Sequence, residues 1–108
     1  MINQNRSNEE REEITLANLL ISITPITWLA LELVVGVKYS DNGHFEMPHQ
    51  ILSPEGHLRP VVFPDNDLFI QTKILYDVFR KRTAWVEMKM LVYYTGEAWA
   101  YKVNYRYS

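Results

Sequence analysis

The sequence predicts an α+β fold: an antiparallel β-sheet of about four strands, with two helices packed on one face, in the order α-β-β-(β)-α-β-β. Three observations carry that expectation. Two segments, one opening near Asn8 and one at Pro64-Asp65-Asn66-Asp67, space their apolar residues as helices do. Two others, Trp28 to Tyr39 and Trp85 to Tyr107, alternate apolar and polar residues with the period of a half-buried strand. Turn chemistry lies where the strands must reverse, at Asp41-Asn42-Gly43 and at Thr95-Gly96. With 108 residues and 47% hydrophobic composition, residues 1–108 form one domain that can bury a core without metal or disulfide staples. Residues 1–7 are read as a flexible lead.

The first helix is announced by Ser7 and Glu10 at capping-box spacing, and by Glu9, Glu10, Glu12 and Glu13 in the first turns, where carboxylates favour the positive end of the helix dipole. Ile14, Ala17 and Ile21 share one face, and Leu16, Leu20 and Ile23 another, which predicts a well-buried C-terminal half. Pro25 disfavours helix at Thr24 and ends it.

The odd positions Leu29, Leu31, Leu33, Val35, Val37 and Tyr39 are apolar and mark the core face of the first strand, with Glu32 and Lys38 on the other side. A three-residue loop Asp41-Asn42-Gly43 pairs Tyr39 with Phe45, Val37 with Met47 and Leu33 with Ile51, which keeps the apolar sets together. Pro48 cannot donate to a ladder, so the second strand is expected at an edge or bulged there. Arg59 to Phe63, bracketed by Pro60 and Pro64, is a candidate strand fragment. In the second helix Leu68, Leu75, Val78 and Phe79 form the apolar stripe, Lys73, Asp77, Arg80 and Lys81 the far side. A two-residue turn at Thr95-Gly96 then pairs Val92 with Trp99, Met90 with Tyr101, Met88 with Val103 and Val86 with Tyr105. The aromatic stripe Trp99, Tyr101, Tyr105, Tyr107 thereby turns toward the helices rather than serving as a base-stacking platform. Lys89 with Lys102, Glu87 with Asn104 and Trp85 with Arg106 fall on the opposite face.

Composition narrows the function classes. The chain has no cysteine, so disulfides, thiolate zinc sites and thiol nucleophiles are absent. A net charge of −2 argues against a general nucleic-acid binder. The polar N-terminus MINQNRSNEEREEI has neither signal-peptide nor transit-peptide character, and the longest apolar-rich stretch is broken by Pro25 and polar residues. The expectation is a cytoplasmic protein without a membrane span. His44, His49 and His57 lack metal-ligand spacing, and no phosphate-binding or nucleophile-elbow motif is present. His44 with Glu46 shares a strand face, yet nothing in the sequence supplies an oriented nucleophile or oxyanion site. No cofactor, metal or catalytic residue is expected. The acidic helix starts could steer a basic protein partner, and Trp85 beside Arg106 could anchor one.

The stretches TPITWLALEL and LFIQTKILYDVFRKRTAWVEMKMLVYYTGEAWAYKVNY resemble the small bacterial immunity proteins of the YezG-like kind. The resemblance rests on Pro25 and Trp28 before the first strand, Leu75, Phe79 and Arg80 in the second helix, Trp85 opening the hairpin, and Gly96 and Tyr105 in its second half. It implies a non-enzymatic cytoplasmic antitoxin that binds a cognate domain of a polymorphic or contact-dependent toxin, commonly a nuclease, and blocks its active site. The surface expected to do so is the loop Asp41 to Glu46, the loop Ser53 to Arg59, and the helix starts. Its candidate contact residues are Asp41, His44, Glu46, Glu55, His57, Arg59, Asp65, Asp67, Trp85 and Arg106. The alternative is a small ligand-binding or homodimerising α+β module without catalytic activity.

Overall fold

A computed structural model describes residues 8–24, 28–39, 43, 45–52, 58–60, 66–80 and 84–107. The elements are α1 (Asn8–Ile23), β1 (Ala30–Gly36), β2 (Lys38–Tyr39), β3 (Phe45–Glu46), β4 (His49–Leu52), β5 (Leu58–Pro60), α2 (Asn66–Arg80), β6 (Trp85–Tyr94) and β7 (Trp99–Tyr107). The main sheet runs β5-β4-β1-β6-β7, antiparallel throughout, and β2 and β3 form a separate ribbon. This is the expected α+β architecture; a fifth strand, β5, overlaps the candidate fragment only at Arg59 and Pro60, and residues 61–63 of that fragment lie outside the described residues.

The first hairpin has the predicted register. Leu33 faces Ile51 and Tyr39 faces Phe45, and Gly43 adopts φ +83°, a conformation glycine takes without steric cost. Asp41 and Asn42 lie outside the described residues, as does Ser7 of the capping box. Pro48 is where the ladder breaks: it has no N–H, β3 ends before it and β4 starts after it. Gly36 still donates to the Pro48 carbonyl (3.1 Å), while Val37 turns to the Val86 carbonyl across the sheet (2.9 Å). The strand after Pro48 is not an edge, because β5 pairs with β4 on its far side.

The second hairpin departs from expectation. Val92 faces Tyr101, Met90 faces Val103, Met88 faces Tyr105 and Tyr94 faces Trp99. The register is therefore two residues from the predicted one, and the loop spans Thr95 to Ala98. A side chain closes it: the Thr95 hydroxyl oxygen accepts from the N–H groups of Glu97 (3.3 Å) and Ala98 (3.2 Å). The Thr95 N–H and hydroxyl both donate to the Ala98 carbonyl (2.9 and 3.1 Å). Electrostatics agree with the shift, since it replaces Lys89 opposite Lys102 by Lys89 opposite Asn104 and sets Glu87 opposite Arg106. A slip of two preserves the faces, so the stripe still points toward the helices.

A β-bulge explains a second departure. Trp85 opposes Tyr107 and Glu87 opposes Arg106, so Val86 is an extra residue and the alternation of β6 is reset. Trp85 moves from the outer face to the core face, is fully buried, and meets Tyr76 edge-on (5.1 Å, 88°). Expected as an exposed anchor, it is a core residue.

The core lies between one sheet face and both helices: Leu16, Ala17 and Leu20 from α1, Leu68, Leu75, Tyr76 and Phe79 from α2, and Leu31, Leu33, Val35, Met88, Met90 and Val92 from the strands. Each such side chain, once fully buried, contributes on the order of 1.5–3 kcal/mol. The α2 stripe runs through Thr72 and Tyr76, with Val78 only half-buried. The end of α1 is less buried than its composition predicts, because Ser22 and Ile23 face away from the sheet. Leu29 precedes β1 and is 60% exposed. Among the described residues no helix is long and apolar enough to cross a membrane.

Candidate partner-binding surface

The helix pair is antiparallel, since Glu12 of α1 sits by Gln71 of α2 while Ser22, a helix length later, shares a groove with Asp67. The Gln71 amide donates to both the carbonyl (3.2 Å) and the carboxylate (3.0 Å) of Glu12, which fixes one end. Between the helices, on the side away from the sheet, lies an open groove of ≈440 Å³. Leu19 and Ile70 give it an apolar floor, and Thr15, Asn18, Ser22, Asp67 and Gln71 a polar rim. Ile70 is 57% exposed, and Ile74, one turn on, extends the apolar strip. Two isoleucines at i and i+4 outside the core stripe of α2 support their own helix by only about 0.2–0.5 kcal/mol and leave much of their apolar surface in water. Their i, i+4 spacing off the core stripe is legible in the sequence.

A second exposed feature is the β2–β3 ribbon against α2. Tyr39 and Phe45 stack at 5.2 Å and Phe45 meets Tyr76 at 5.5 Å. The Lys73 ammonium stands 5.3 Å from the Phe45 ring centre while paired with Asp77 (2.6 Å). The Tyr39 and Tyr76 hydroxyls lie 3.2 Å apart. Burial and the Tyr39 hydroxyl push Tyr76 up to about 12, so this hydroxyl keeps its proton at physiological pH.

Two polar groups are sunk into the core boundary. The Glu13 carboxylate, 7% exposed, accepts hydrogen bonds from the hydroxyls of Tyr101 (3.1 Å) and Tyr105 (2.5 Å), which ties α1 to β7. Burial raises the Glu13 pKa, opposed by those two hydroxyls. Burial and the carboxylate together raise that of Tyr105, which remains a donor. His49 lies between Phe69, edge-on at 4.4 Å, and the backbone of its own strand. Its Nδ1 is 2.6 Å from the Met47 carbonyl, which can only accept, so Nδ1 carries a hydrogen. Its Nε2 is 3.0 Å from the Thr72 hydroxyl, which also lies 2.8 Å from the Leu68 carbonyl. Burial lowers the His49 pKa, and the Met47 carbonyl opposes it. Thr72 has a single hydroxyl proton and donates it to the Leu68 carbonyl, while its oxygen packs against Nε2.

The residues expected to contact a partner do not converge. Asp67 lines the helix groove. Glu46 is exposed on the ribbon opposite Lys38. Arg106 is exposed on the sheet face opposite the helices, 3.7 Å from Glu87. Trp85 is buried. Arg59 belongs to β5, with its backbone paired to Ile51. Asp41, His44, Glu55, His57 and Asp65 lie outside the described residues. The two acidic helix starts are at opposite ends of the antiparallel pair, and Glu13 is turned inward. Among the described residues no group of three or more His, Asp or Glu side chains could hold a metal ion. Comparison with models of known protein families and with curated proteins finds no match to either.

Proposed function

We propose that this chain is an immunity protein: a cytoplasmic, non-enzymatic binder that neutralises a cognate bacterial toxin domain, a nuclease by preference, by covering its active site. The observation that carries the reading is the groove between α1 and α2, with Leu19, Ile70 and Ile74 for apolar contact and Asp67 on the rim. An apolar floor with a polar rim is the composition of a protein-binding patch, and the Asp67 carboxylate on that rim suits a basic partner such as the cleft of a nuclease. The element order and the residues Trp28, Leu75, Phe79, Trp85 and Gly96 that carry the resemblance support it from the sequence side.

The test is co-expression with the toxin domain encoded beside this gene, followed by titration of the purified pair. Rescue of growth and a complex whose association slows with added salt are expected. Ile70→Glu and Asp67→Lys each weaken it by about 2 kcal/mol, roughly 30-fold, while the outer-face Arg106→Ala leaves it unchanged. Absence of both rescue and complex overturns the reading.

A further inference from the structure

We infer that β7 is a self-pairing edge through which two copies of this chain join their five described strands into one continuous sheet about a two-fold axis at Val103. This goes beyond the immunity reading and does not depend on it.

The sheet order ends at β7, so among the described residues no strand pairs with the outer edge of its nine residues. Edges of this length template the pairing of another strand unless charge or shape prevents it. The side chains of β7 then decide which strand fits. Residues directly opposite in an antiparallel pair share a face, so two copies can align their helix-covered faces only if the axis passes through a residue. Centred on Lys102, the pairing sets Lys102 against its own copy. Centred on Asn104, it sets Lys102 against Arg106 twice. Both juxtapose like charges.

Centred on Val103, the midpoint of Trp99–Tyr107, the overlap is complete and no like charges stand opposite. On the helix side Trp99 meets Tyr107, Tyr101 meets Tyr105, and Val103 meets itself. On the outer side Ala100 meets Arg106 and Lys102 meets Asn104. The aromatic pairs are of the kind that stabilises cross-strand neighbours. The stripe has room for them, because Trp99, Tyr101, Val103 and Tyr105 are only partly buried and Tyr107 is 46% exposed. Glu13 holds the two central tyrosines in place beforehand. One strand pairing over about 30 Å is a small contact. That is the small end of specific interfaces, and it predicts a reversible dimer with a dissociation constant between about 1 μM and 1 mM.

Sedimentation velocity of the full chain over a concentration series tests this. The expected mass rises from 12.8 kDa toward twice that value as concentration increases. Asn104 is exposed on the outer face and faces Lys89 of β6, so the urea midpoint of each variant is read beside its self-association to separate a change in the hairpin from a change in the dimer. Asn104→Lys puts a cation opposite Lys102 at two symmetric places and should weaken the dimer by roughly 2- to 30-fold, and Asn104→Glu should strengthen it by a similar factor. A mass that stays at 12.8 kDa up to about 1 mM overturns the inference, as does a dimer whose affinity does not move in opposite directions in the two variants. A monomer that still neutralises toxin, or a dimer that does not, separates this inference from the immunity reading.

Discussion

Removing the Tyr105 hydroxyl should cost stability in a way that depends on the charge of Glu13. In the folded chain Glu13 is almost fully buried and its carboxylate accepts from Tyr101 and Tyr105, the latter at 2.5 Å. A hydrogen bond to a charged acceptor contributes about 1.5–3 kcal/mol and one between neutral groups about 0.5–1.5 kcal/mol. Burial raises the folded pKa of Glu13 above the unfolded value of 4.5. The sign follows: stability from this group is fully present below pH 4.5 and is lost as pH rises through the folded pKa, because the folded state holds the proton more tightly. Above that pKa the ionised group relies on the tyrosines. Tyr105→Phe should therefore cost about 1.5–3 kcal/mol at pH 8 and about half that at pH 4. In urea, with a slope near 1.5 kcal/mol/M, the pH 8 midpoint falls by about 1–2 M. In a Glu13→Gln background the acceptor remains but never ionises, so the same mutation should cost about 0.5–1.5 kcal/mol at either pH. Equal costs at both pH values, and in both backgrounds, would refute the claim that the buried carboxylate is what holds the tyrosine.

Two further predictions rest on the interior. Because burial lowers the folded pKa of His49, its contribution to stability is present above the unfolded value of 6.5 and is lost as pH falls through the folded pKa; His49→Gln should flatten the stability profile in that window, and Thr72→Val should cost about 0.5–1.5 kcal/mol by removing the hydroxyl that bonds the Leu68 carbonyl and contacts Nε2, both read from urea midpoints. The Trp85 indole Nε1 is buried with no hydrogen-bond partner among the described residues, so Trp85→Phe removes that donor while leaving a small void, and should cost far less than the about 3–5 kcal/mol of Trp85→Ala in thermal unfolding.

The sequence contained the fold wherever apolar periodicity and chain reversal pointed the same way. The pairing of Tyr39 with Phe45 and Leu33 with Ile51 followed from one requirement, that apolar sets share a face. The same requirement was too weak for the second hairpin, since a slip of two residues satisfies it equally. What separated the registers was the Thr95 side chain and the repulsion of Lys89 by Lys102, and both were present in the sequence. The bulge at Val86 was not legible, because alternation carries no mark of a residue that opposes nothing; only the size and apolarity of Trp85 hinted that it belonged inside. Of the expected contact residues, Asp67 joins the groove. Ile70 and Ile74 accompany it off the core stripe of α2, where apolar periodicity assigns them no partner.

The two proposed surfaces bear on one another through geometry. The groove lies on the helix layer, away from the sheet, and the pairing edge is the last strand. Neither uses a residue of the other. A two-fold axis perpendicular to the sheet keeps both helix layers on one side, so the dimer would present two grooves in the same direction. A toxin with one basic cleft would occupy each groove independently, and dimerisation would leave its affinity unchanged. A toxin that is itself two-fold would engage both at once, and the second contact would form at an effective concentration set by the rigid sheet, far above that in solution. The order in which Asn104→Lys affects the two measurements distinguishes these cases. Weakened self-association with unaltered neutralisation means one groove suffices, whereas a parallel loss of both means the continuous sheet is the functional unit.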